Sequence, residues 1–62
     1  MIEIQSGVYL ATNQEAIADA DALGTREDYF QGESQNSAFY IITDAATIEG
    51  FDTKEEALES IA

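Results

Sequence analysis

Ala38-Phe39-Tyr40-Ile41-Ile42-Thr43 is the stretch that decides the fold of this 62-residue chain. Its β-branched and aromatic residues occupy both parities, the pattern of a central strand buried on both faces. Asp44-Ala45-Ala46 beyond it suits a turn, and Thr47-Ile48-Glu49-Gly50-Phe51 returns as the second strand of a hairpin. Thr53 then caps a helix whose box Glu56 closes, with Phe51 placed to staple its first turn and Ala57, Leu58 and Ile61 facing inward.

Upstream, Gly32-Glu33-Ser34-Gln35-Asn36-Ser37 reads as a polar loop, and Glu27 to Gln31 as either a short strand or a loose turn. Thr12 opens another helix, with Glu15 completing a capping box. Its apolar stripe is Ala16, Ile17, Ala20 and Leu23, and Gly24 is placed to end it. Ile2, Ile4, Val8 and Leu10 share even parity and predict one continuous strand. A hairpin turning at Ser6-Gly7 would set Ile2 and Ile4 beside Tyr9 and Ala11, leaving Val8 and Leu10 with Glu3 and Gln5. The continuous strand is preferred on that ground.

The predicted fold is therefore α+β, a single small acidic domain over residues 1–62. An antiparallel-rich sheet of three or four strands carries two short helices packed on one face. The order is strand, helix, an optional short strand, two hairpin strands, helix. If the helices cover Phe39 and Ile41, then Tyr9, Tyr40 and Ile42 share the other face and form a candidate self-association surface; the reverse assignment of faces is also open.

Charge narrows the function. Thirteen Asp and Glu residues face two basic residues, a formal net charge of -11. Such a surface repels itself, nucleic acid and anionic lipid, and favours a basic protein partner. Without Cys or His, neither a disulfide nor a Cys/His zinc site can form. The start Met1-Ile2-Glu3-Ile4 lacks the features of a signal peptide, and no apolar run approaches the roughly 20 residues of a membrane span. A cytoplasmic location is expected.

Catalytic chemistry finds no foothold. The carboxylate pairs Asp19/Asp21, Glu27/Asp28 and Glu55/Glu56 sit among polar or small residues, with no sign of a pocket that would split their pKa values. No histidine or cysteine is present to activate a nucleophile or serve as one. Asp19-Ala20-Asp21-Ala22-Leu23-Gly24 resembles the start of a calcium loop. However, Leu23 falls where an oxygen ligand belongs, and Phe30 where the bidentate Glu belongs. No cofactor is expected.

The helices arrange their acids in faces. Glu55, Glu56 and Glu59 are contiguous, Glu55 and Glu59 forming a like-charge pair one turn apart, and Glu15 with Asp19 repeats the spacing. With Asp21, Glu27 and Asp28 these are the candidate partner-binding residues. Carboxylates at that helical spacing lie about 5–6 Å apart at Cβ. Phosphates along a strand advance about 3.4 Å of axis per step, so an acidic face can occupy a groove built for phosphates. In size and charge the chain resembles small phage-encoded inhibitors of restriction, repair and CRISPR nucleases, a class without a shared sequence motif. The expected function is non-enzymatic inhibition or modulation of a basic nucleic-acid-handling protein. The alternative is a small accessory domain that forms a homodimer and whose acidity serves solubility.

Overall fold

The computed structural model describes all 62 residues. Its elements are β1 (Ile2–Gln5), β2 (Val8–Thr12), α1 (Asn13–Leu23), α2 (Arg26–Phe30), β3 (Phe39–Thr43), β4 (Ile48–Phe51) and α3 (Lys54–Glu59). The strands form one antiparallel sheet in the order β1-β2-β3-β4. The α+β class and the four-stranded sheet follow the expectation. So do the β3–β4 hairpin and the central place of β3, where Tyr40 and Ile41 are both buried.

The continuous first strand is corrected to a hairpin, and the reason is a bulge. A two-residue turn at Ser6-Gly7 pairs Gln5 with Val8, which alone would set odd positions against even ones. Between Glu3 and Gln5 the register slips by one residue at Ile4, so that Glu3 faces Tyr9 and Ile2 faces Leu10. Even parity is restored across the hairpin, and Ile4, Val8 and Leu10 pack into the same cluster. Gly7 adopts φ +75 in the turn, and a Cβ there would lie 2.9 Å from the Asp44 carboxylate.

Both helix starts form at the threonines read as caps, but only the Thr12–Glu15 box closes on both backbone amides. Thr12 accepts from the Glu15 amide while Glu15 accepts from the Thr12 amide at 2.9 Å, closing the box. Thr53 accepts from the Glu56 amide at 3.1 Å, and its hydroxyl donates to the Glu56 carboxylate. Gly24 closes α1 by donating to Ala20 O. Glu27 to Gln31, read as a short strand or a loose turn, instead belong to a helix over Arg26–Phe30 that Gln31 ends. Thr25 caps it by accepting from the Asp28 amide, a third Ser/Thr-x-x-acid start whose helix is too short to show a period.

The helices do not share one face of the sheet. Ala16 and Ala20 of α1 and Phe30 of α2 pack with Ala11 and Tyr40 on one side. Ala57 of α3 packs with Leu10 and Ile41 on the other. Strand alternation sorts the two clusters, since β3 sends Tyr40 and Ile42 one way and Phe39 and Ile41 the other. Four of the eight buried residues are alanines, which lets helix backbones approach the sheet closely. Phe30 and Tyr40 fill the remaining space with an edge-to-face contact at 5.4 Å.

The predicted self-association surface is thereby corrected. Tyr40 is 0% exposed, its hydroxyl donating to Ser34 O at 2.5 Å and accepting from the Ser37 amide at 3.2 Å. Tyr9 and Ile42 are half-buried on the side that α1 and α2 cover. Leu23, expected in the α1 stripe, is 73% exposed. The Cα radius of gyration is 10.5 Å, close to the roughly 10.6 Å of an ordinary domain of this length. No helix is long and apolar enough to cross a membrane.

Candidate functional site

The eight carboxylates singled out from the sequence fall into two groups on opposite faces of the sheet. Glu55, Glu56 and Glu59 lie exposed on α3, whereas Glu15, Asp19, Asp21, Glu27 and Asp28 belong to α1 and α2. One flat partner surface cannot meet both groups.

Within the second group, three are engaged internally. The Arg26 guanidinium donates to both oxygens of Asp21, at 2.8 and 3.0 Å, and holds its carboxyl below the usual range. Glu15 receives the Met1 amino group at 2.5 Å and the Thr12 amide, in that order the causes of its lowered pKa. Asp19 accepts from the Tyr29 hydroxyl at 2.8 Å. Burial, then that bond and the Asp19 charge, push the Tyr29 phenol well above its ordinary value. Glu27 and Asp28, in the first turn of α2, are exposed.

A cleft of about 380 Å³ opens between these helices and the sheet. Tyr9, Tyr29, Ile42 and Ile48 supply much of its apolar lining, with Leu23 at its edge, and Asp19, Asp28 and Asp44 are also part of its wall. The cleft lies where two turns meet: the Asp44 amide donates to Gly7 O at 2.9 Å, joining the β1–β2 and β3–β4 turns. The Asp44 charge, followed by that of Glu3, raises the pKa of the Tyr9 hydroxyl between them. Gln31, just past α2, donates its side-chain amide to Ala46 O in the β3–β4 turn and so ties helix to hairpin. Thr43 and Thr47 hydroxyls join at 2.7 Å across the base of that turn.

Asp44, Leu23 and Ile48 were not among the candidate residues. Asp44 reads simply as a turn former, and only the sheet order brings its turn beside Gly7 and Tyr9. The one signal available was Leu23, a large apolar residue at the last position of a helix. No three carboxylates come together in a way that could hold a metal ion. No family model, curated protein or solved structure matches the chain.

Proposed function

We propose that this protein is a non-enzymatic, acidic inhibitor or modulator of a basic, nucleic-acid-handling protein in the cytoplasm. It works by nucleic-acid mimicry in the manner of small phage-encoded anti-restriction and anti-CRISPR proteins, its carboxylates taking the place of phosphates. The observation that carries this reading is the shortage of internal counter-charge. Of thirteen carboxylates, only Asp21 pairs with a side-chain cation and Glu15 with an amino group, which leaves eleven without a cationic partner. Lys54 joins no ion pair. A fold that needed its acids for stability alone would pair more of them.

The test is capture of the partner from native-host lysate at low and high salt, followed by association kinetics with two charge-reversed proteins. Glu55→Lys/Glu59→Lys and Glu27→Lys/Asp28→Lys each alter one acidic group on exposed helix positions. The group that meets the partner is the one whose reversal slows association by about tenfold or more, with steep salt dependence. Wild-type association by both variants overturns the reading.

A further inference from the structure

We propose that the cleft between α2 and the β3–β4 turn is a docking site for an arginine side chain carried on an extended, partly apolar segment of the partner. This rests on the acidic-binder reading above and locates its specificity. The lining has two chemistries at once. Ile42, Ile48 and the exposed Leu23 offer apolar surface, while Asp19, Asp28 and Asp44 supply negative charge beside it. An occupant that satisfies both has an aliphatic stem and a cationic head, which describes a long basic side chain.

Two features favour arginine over lysine. Tyr9 and Tyr29 both line the cleft, and a planar guanidinium stacks on aromatic side chains. The exposed Asp28 and Asp44 carboxylates in the wall are the form of acceptor that its forked N–H donors match. A volume of about 380 Å³ also lies within the range of sites that enclose ligands, roughly 300–1,000 Å³.

Gln31 and Ala46 are the only non-glycine residues with positive φ, 51 and 61, and they are hydrogen-bonded to each other at the wall of the cleft. Both conformations belong to chain reversals, Gln31 ending α2 and Ala46 lying in the β3–β4 turn. The Tyr29 hydroxyl fixes the orientation of Asp19.

The probe is the peptide acetyl-Leu-Arg-Leu-Arg-Leu-amide, titrated into the full chain while methyl resonances are followed by NMR. The Ile42, Ile48 and Leu23 methyls are expected to shift saturably, and replacing arginine by neutral citrulline should weaken binding about tenfold or more. Asp28→Asn/Asp44→Asn, at exposed positions, should weaken it similarly while the melting temperature stays at or above that of the wild type. Glu55→Gln/Glu59→Gln should leave it as it was. Equal weakening by both double variants, or shifts that bypass the cleft methyls, would mean diffuse attraction and overturn the proposal. A native partner still captured through α3 in that case leaves the inhibitor reading standing. Conversely, a peptide seated in the cleft with no basic partner in the host overturns the inhibitor reading alone.

Discussion

The Glu33 carboxylate accepts a 2.6 Å hydrogen bond from the backbone amide of Gly50. Because β4 is an edge strand, that amide would otherwise be open to a strand from another molecule. An anion on the edge fills the site and repels further acidic chains. The opposite edge is short and bulged at Ile4, so neither margin offers a long flat ladder.

Glu33→Ala should therefore have two effects. Loss of the bond costs about 1–2 kcal/mol, seen as a lower urea midpoint. The freed edge should also raise self-association at high salt, read by light scattering. Glu33→Gln, which keeps an acceptor, is expected to lie near wild type in both measurements. An alanine variant as stable and as monomeric as the parent would remove the edge-capping role.

Gly50 has no room for a side chain. A Cβ there would collide with Ser37, whose own Cβ lies 2.8 Å away, and would meet the Glu33 carboxylate at 3.2 Å. Gly50→Ala is expected to destabilise by about 1–3 kcal/mol through overpacking. Ser37→Ala should not rescue it, since the Cβ remains, whereas Ser37→Gly should recover part of the loss. Thermal melts of the four proteins distinguish these outcomes.

Tyr40 is a structural residue. Tyr40→Phe leaves Ser34 O and the Ser37 amide without their shared partner and should cost about 1–3 kcal/mol. Tyr40→Asp or Ile42→Asp should unfold the protein and not release a monomer, as circular dichroism would show. A folded Tyr40→Asp chain would contradict the core described here.

Stability should pass through a maximum below neutrality. Added salt and acidification from pH 7 towards about 5 relieve repulsion among the carboxylates and stabilise. Asp21 and Glu15 have depressed folded-state values, so their contribution is present above the unfolded carboxylate pKa of about 4 and is lost as pH falls below it. Arg26→Gln should flatten that acid limb. Tyr29 and Tyr9 are raised, so their contribution is complete below the ordinary phenol pKa of about 10 and is lost as pH climbs further. Tyr29→Phe should remove part of the alkaline loss, measured by urea denaturation across the range.

Local rules were legible in the residues and long-range ones were not. The capping threonines, Gly24 and the β3–β4 hairpin each depend on a few neighbouring positions, and each forms as read. The α2 helix escaped because five residues cannot display a helical period. The side of the sheet that α3 covers depends on how the chain leaves Phe51, which no periodicity encodes. Acidic faces could be found on each helix separately, but which of them are neighbours is a property of the sheet between them. The cleft needed still more: Tyr9, Tyr29, Ile42 and Asp44 meet only after β2, α2, β3 and the β3–β4 turn are assembled.

The bulge at Ile4 has a bearing on descent. Any acid on the surface could be exchanged for another over time, but the number of residues between Ile4 and Leu10 decides whether Ile4, Val8 and Leu10 share the inward face. One residue gained or lost there turns the edge strand over, whereas two merely lengthen or shorten it. Remote kin of this chain are thus better sought by the spacing of apolar residues and the placement of gaps around positions 4–7 than by shared letters.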